Sequence, residues 1–200
     1  MKKTLFALTI ALFTLPAFAL EVGQPAPDFE ATTIGGKVFK LSDYKNQIIV
    51  LEWQSPECPF SLAHYEAGSM QHLQKYAKEK HVVWLTINSS APSKPGYETK
   101  QEAKDFRRKK NAQAAYTILD PKGEIGHKFD AKTTPHMFVI DKDGLIAYMG
   151  ALDDKPGVKG AAAISKANNY VYAAIEALLA GNVPATQVTE PYGCGIKYAD

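Results

Sequence analysis

Ile48-Ile49-Val50-Leu51-Glu52-Trp53-Gln54-Ser55-Pro56-Glu57-Cys58-Pro59-Phe60-Ser61 reads as a strand, a turn and the start of a helix. The near-continuous apolar run over 48–53 is the pattern of a central strand covered on both faces. Cys58 then falls at the N-terminus of the helix. There it meets unpaired backbone N–H groups and the positive end of the macrodipole, which favour thiolate over thiol. Such a cysteine can fall from a pKa of about 8.5 to roughly 3.5–7.5, and the thiolate is the species that attacks disulfides or peroxides. Pro59 suits the first helical turn, where its missing N–H costs nothing. The bland alternative for Cys58 is a small buried hydrophobe. Glu52 is the odd residue of the strand. Burial should raise its pKa and fit it to relay protons to and from sulfur; the alternative is a carboxylate paired with a lysine at the sheet rim. Trp53 belongs to the core or borders Cys58.

Outward from this stretch, Gly35-Gly36 marks a turn and Lys37–Leu41 alternates as a half-exposed strand. The helix after Cys58 is expected over Ser61–Lys78, and Val82–Ile87 is a second buried strand. A polar, Pro-containing loop over Asn88–Gly96 lies on the carboxyl side of the sheet, where α/β proteins place ligands, and either frames the site or fills space. Thr99 and Glu102 form a capping box for a helix running to about Lys110. Tyr116–Leu119 is a short strand ended by the turn Asp120–Gly123, and His136–Ile140 and Leu145–Met149 form a hairpin over Asp141-Lys142-Asp143-Gly144. Ala161–Ala180 reads as one long alanine-rich helix stopped by Gly181, followed by an extended tail over 182–200. Strands alternating with helices predict an α/β fold: a central mixed sheet flanked by helices.

The ends and the composition set the context. Lys2 and Lys3, an apolar run over Thr4–Leu15, the breaker Pro16 and Ala17-Phe18-Ala19 form the pattern of a secretory signal, with cleavage expected after Ala19. The alternative is an uncleaved membrane anchor. The style is bacterial and the implied compartment is the periplasm. Residues 20–200 then form a single domain with no further apolar stretch of spanning length. The whole chain has 23 Lys and Arg against 21 Asp and Glu. Without Lys2 and Lys3 the balance is 21 against 21, which argues against nucleic-acid binding. A domain of this size does not need disulfides merely to fold, so Cys58 and Cys194, the two cysteines of the chain, call for another explanation.

Several motifs resemble a known family. Gly23-Gln24-Pro25-Ala26-Pro27-Asp28-Phe29 matches its opening Gly-x-x-Ala-Pro-x-Phe. Leu41-Ser42-Asp43-Tyr44 matches the segment before the first core strand. Cys58-Pro59-Phe60-Ser61 falls where thioredoxins carry Cys-x-x-Cys. Thr134-Pro135 followed by Phe138–Gly144 resembles their cis-proline strand and hairpin. The chain thus resembles a thioredoxin-fold redoxin of the alkyl hydroperoxide reductase/thiol-specific antioxidant (AhpC/TSA) and thioredoxin-like superfamily. The resemblance implies that Pro135 is cis and shields the thiolate of Cys58. It implies that the Thr134 backbone binds an extended partner, in a groove with Ser61 and Trp53. It also implies that Glu52, six residues before Cys58, is the buried proton acceptor.

The chain departs from the family at Ser61, which replaces the second cysteine of the motif. Only Cys194, in Pro191-Tyr192-Gly193-Cys194-Gly195, is available internally. The tail from Gly181 spans roughly 40 Å to it when extended, enough to return to Cys58. Cys194 is therefore a resolving thiol, one half of a structural staple, or free to pair with another molecule. The peroxidase pattern Pro-x-x-x-Thr/Ser-x-x-Cys is met at Ser55 and Cys58, but its proline position holds Leu51, and the position of the peroxide-polarising arginine holds Pro135. The chain's two arginines, Arg107 and Arg108, fall in a helix that reads as exposed, at an end whose dipole they complement. His64, His72, His81, His127 and His136 show no compact metal spacing. His64 and His136 read as surface residues, or as neighbours that tune Cys58.

The expectation is a periplasmic thiol–disulfide oxidoreductase with catalytic Cys58, Cys194 and Glu52. Its partner is a thiol or disulfide protein or a small thiol, and it needs no metal or organic cofactor. The alternatives are a peroxiredoxin-like thiol peroxidase and a non-catalytic thioredoxin-fold binding module stapled by Cys58–Cys194.

Overall fold

A computed structural model describes residues 20–157 and 160–199. The signal segment expected over 1–19 lies outside the described residues. A five-stranded sheet has the order β5-β4-β3-β7-β8, built from β3 (Ile49–Trp53), β4 (Val83–Asn88), β5 (Tyr116–Leu119), β7 (His136–Ile140) and β8 (Ile146–Gly150). β3 runs parallel to β4, and β4 to β5, whereas β7 is antiparallel to both β3 and β8. All five residues of β3 are buried, as expected for a strand with neighbours on both edges and layers on both faces. A small β1–β2 ladder (Glu30–Thr32 with Val38–Lys40) precedes it, joined through the 3₁₀ turn Leu41–Tyr44.

Alternation along β3 divides the core. Val50 packs with Tyr65, Met70, Leu73, Trp84, Val139 and Ile175 on one face. Ile49, Leu51 and Trp53 pack with Phe29, Phe39, Phe129 and Phe138 on the other. The first face is covered by α1 (Pro59–Glu66), α2 (Ser69–Glu79) and α6 (Tyr170–Leu179). α3 (Lys100–Lys109) begins at the Thr99–Glu102 capping box, and α4 (Glu124–Lys128) follows the turn at Gly123.

The structure corrects several expectations. The helix expected over 61–78 is two helices, parted at Gly68, whose φ of +75 is left-handed backbone that a side chain resists. The helix expected over 161–180 is a short α5 (Ala161–Ile164) and α6, which starts afresh where the Asn169 side chain accepts from the Tyr172 N–H. Leu145 lies outside β8, in an isolated bridge to Pro25. Arg107 is not on an exposed face: it is half-buried and donates to the Ala114 carbonyl at 2.6 Å. His64 and His136 are buried rather than on the surface. Residues 182–199 run extended, as expected, and contribute β9 (Cys194–Gly195), which pairs antiparallel with β6 (Thr133–Thr134).

Candidate active site

Cys58 is the N-cap of α1, with Pro59 in its first turn. It is 2% exposed. Three elements meet at its sulfur. The first is α1 itself, whose Ser61 N–H points to Sγ. The second is the loop before β7, where Thr134–Pro135 is a cis peptide and Cys58 Sγ donates to the Thr134 carbonyl at 2.8 Å. The third is β9, in which Cys194 lies opposite Thr134 and its thiol hydrogen-bonds Cys58. Gly193 makes this approach possible. Its φ is +125, and a Cβ there would collide with the Thr134 carbonyl, 2.8 Å from its carbon.

Both cysteines are free thiols, and their surroundings push their acidities apart. Burial pushes the Cys58 thiol up, but side-chain hydrogen bonds from Cys194 and Thr134 and the N–H groups of Ser61 and Cys194 outweigh it, so the net direction is down. Burial, with the neighbouring Cys58 sulfur, pushes Cys194 up to about 12. The arrangement makes Cys58 the more acidic thiol of the pair and Cys194 the one that keeps its proton to higher pH.

The other predicted residues distribute around this pair. Thr134 is buried, and its hydroxyl faces the Cys194 carbonyl at 3.5 Å. Ser61 is buried, with no partner for Oγ among the described residues. Trp53 is fully buried against Phe129 and Phe138, and its Nε1 donates to Ser89 Oγ at 3.0 Å. It therefore forms core rather than groove surface. Glu52 is fully buried and accepts from Tyr65 Oη, Gln74 Nε2 and Trp84 Nε1 at 2.9, 3.0 and 2.8 Å. Burial raises it to about 7 against the pull of those three donors. Among the described residues no lysine pairs with it, and it shares no hydrogen-bond partner with either sulfur.

Tyr192 and Asp153, to which the sequence alone assigns no role, complete the site with His64, His136 and the 88–96 loop. Tyr192 donates to Asp153 at 2.7 Å and lies 3.2 Å from His64 Nε2, tying the tail to the helix of Cys58. His64 is lowered by burial, against the opposing charge of Asp153. His136 is lowered to about 4 by burial and by Lys132. The sequence offers His64 as a neighbour of Cys58, and Tyr192 stands two residues before Cys194, but nothing in it marks Asp153, and only the fold brings the three together. The 88–96 loop frames the site. Asn88 donates to Glu98 and to the Gly96 carbonyl, Glu57 accepts from the Gly96 N–H, and the Ala91 N–H donates to the Lys197 carbonyl of the tail. Among the described residues, no group of three or more His, Cys, Asp or Glu is placed to hold a metal ion. No helix there is long and apolar enough to cross a membrane.

A helix-capping cysteine facing a cis-proline loop at the end of the central strand defines a thioredoxin-like redox protein, and solved thioredoxin-fold proteins share the architecture. Residues 22–149 match the AhpC/TSA family, and the chain belongs to that family. It is 28% identical over 145 residues to "Putative peroxiredoxin sll0755" of Synechocystis, covering 64% of this chain and 68% of that one. It is 28% identical over 127 residues to the thiol-disulfide oxidoreductase ResA of Bacillus thuringiensis, with the same shares covered. Among solved structures, an uncharacterized conserved protein from Geobacillus kaustophilus superposes with a TM-score of 0.77 at 26% identity, covering 94% of this chain and 98% of that one.

Proposed function

We propose that this protein is an exported thiol–disulfide oxidoreductase in which Cys58 is the nucleophile and Cys194 the resolving thiol. The observation that carries the reading is the seating of Cys194 opposite Thr134, with its thiol on the Cys58 sulfur. Toward a disulfide partner, the Cys58 thiolate attacks one sulfur. A Cys58–partner bond forms, the partner's own bond breaks, and the leaving thiolate takes up a proton. Cys194 then gives up its proton and attacks Cys58 Sγ. The Cys58–Cys194 bond forms and the partner leaves as a dithiol. The partner is reduced, the enzyme is oxidised, and an outside thiol restores it; run backwards, the same steps oxidise a dithiol. Among the described residues the proton acceptor expected at Glu52 bonds Tyr65, Gln74 and Trp84 and no partner of either sulfur, so we assign Glu52 to the core network rather than to the exchange.

Thiol trapping and mass spectrometry of the exported protein across a glutathione series test this reading. A Cys58–Cys194 bond with a potential above about −250 mV is expected, in the range of catalytic disulfides. A potential below about −300 mV would instead mark a structural staple and a binding module. No bond at all would overturn the resolving role. In the same sample, N-terminal sequencing should start at Leu20.

The Synechocystis relative's name favours one competing reading, a thiol peroxidase. Against it, Pro135 stands where the peroxide-polarising arginine is expected, and Arg107 is committed to Ala114. Removing such a donor removes stabilisation of developing charge. Sulfenic acid formation on Cys58 with hydrogen peroxide should therefore be slow, and rapid formation would favour the peroxidase.

A further inference from the structure

We infer that Tyr198 is the latch that seats the C-terminal strand over Cys58, and so a positioning residue for the exchange. What the seat is used for rests on the proposed function; the seat itself is read separately. β9 is only two residues long, and so short a ladder cannot hold itself in water. Its register must come from its flanks. Upstream, Tyr192 is tied to His64 and Asp153. Downstream, the Ile196 N–H donates to Lys132 and the Lys197 carbonyl accepts from Ala91.

The run then ends in a fitted contact. The Tyr198 ring fills a notch over α4 that exists because positions 123 and 126 carry no side chain. A Cβ on Gly123 would lie 2.5 Å from Tyr198 Cδ1, and one on Gly126 would lie 2.6 Å from Cε1 and collide with the hydroxyl. The ring stacks on His127 at 4.1 Å between centroids, and its hydroxyl donates to the Ala131 carbonyl at 2.7 Å. The notch is itself fixed to the core. Asp120 Oδ2 accepts from the Ile125 and Gly126 N–H groups and from Ser89 Oγ, which in turn accepts from Trp53. Tyr198 therefore refers the position of Cys194 to the rigid sheet that also carries Cys58. While it is seated, the strand occupies the Thr133–Thr134 edge with which an extended polypeptide partner would pair. Such a partner enters only as the strand lifts.

Two readouts in the full chain test this. In the Cys194→Ser protein, where no resolving thiol exists, Tyr198→Ala should raise the rate of Cys58 alkylation about tenfold by uncovering it, and Tyr198→Phe, which keeps the ring, should stay within about twofold of the parent. With Cys194 present, Tyr198→Ala should lower its effective concentration at Cys58 about tenfold, making the potential about 30 mV more positive. Gly126→Ala evicts the ring and also crowds Ser89 Oγ, 2.9 Å from the new Cβ, so it should raise alkylation and potential at least as far, and adding Tyr198→Ala to it should change little, because the ring is already displaced. Unchanged alkylation in both single variants, or additive effects in the double variant, would overturn the latch. A wild-type chain that forms no Cys58–Cys194 bond would overturn the proposed function instead, and the alkylation rates would still decide the latch.

Discussion

At Cys58 the charged form is stabilised by donors that the fold delivers from three directions, and at Cys194 the same proximity works against ionisation. Cys58 is lowered because hydrogen bonds to sulfur outweigh burial, whereas burial and the neighbouring sulfur hold Cys194 up near 12. A titration of the reduced protein by ultraviolet thiolate absorbance should therefore show one thiolate below pH 9 and the second only toward pH 12. Cys58→Ser should abolish the first step and bring the second down, since it removes the sulfur that opposes Cys194 ionisation. Two overlapping steps near pH 9 would contradict the coupling. Glu52 makes a different statement. Its carboxyl is raised from an ordinary 4.5 to about 7, chiefly by burial. A raised acid favours its neutral form in the fold, so its contribution is complete below pH 4.5 and lost as pH rises to about 7, at most about 3 kcal/mol. Glu98 moves in the same direction and His136 in the opposite one, so the contribution must be isolated by difference. Urea denaturation of wild type and Glu52→Gln should give a stability difference that shifts against the wild type by up to about 3 kcal/mol between pH 4.5 and 7.5. A difference independent of pH would mean that Glu52 is ionised throughout.

Among the elements, long-range pairing and local propensity were not equally legible in the sequence. β3, β4 and β7 could be read because a strand buried on both faces leaves an apolar run that little else produces. The α3 start could be read because Thr99 and Glu102 satisfy each other locally. The break at Gly68 could not, because apolar spacing over Ser61–Lys78 fits one helix and the glycine alone does not reveal that tertiary packing turns the chain there. α5 and α6 were fused for a similar reason: helix-favouring alanines on one side and Tyr170–Leu179 on the other hide the Asn169 cap between them. Gly68→Ala should cost about 1–2 kcal/mol, the penalty of a side chain in left-handed backbone, because straightening the junction would pull α2 off the sheet. Chemical denaturation measures this; an unchanged or raised midpoint would show that the junction adjusts freely. Of the site, Cys58 and the Thr134–Pro135 step were legible as local motifs. Tyr192, Asp153 and Tyr198 were not, since their partners lie tens of residues away and carry no spacing.

Across the whole molecule, the sheet order is what makes a site from these pieces. β3 is central, so α1 leaves the middle of the sheet's carboxyl edge, and the antiparallel β7 starts beside that edge, bringing Thr134–Pro135 to Cys58. The tail then crosses the same edge and closes it with β9. This places the two sulfurs together although 136 positions separate them in the chain, and folding and redox state must therefore be linked. A bond across a loop of that length restricts the unfolded chain by about 5 kcal/mol before strain. The free energy by which the bond stabilises the fold is also the free energy by which the fold stabilises the bond. The oxidised protein should thus resist denaturant better than the reduced one, and Cys58→Ser/Cys194→Ser should match the reduced form. The gap in stability should equal the difference between the native potential and that of the same pair in denaturant, at about 1.4 kcal/mol for each 30 mV. A pair that exchanges readily with partners needs that gap to fall well short of 5 kcal/mol, because a bond held by the full closure term would resist the outside thiol that must reopen it. A gap near the full value, together with a potential below about −300 mV, would mean that the strand serves the fold and not the exchange.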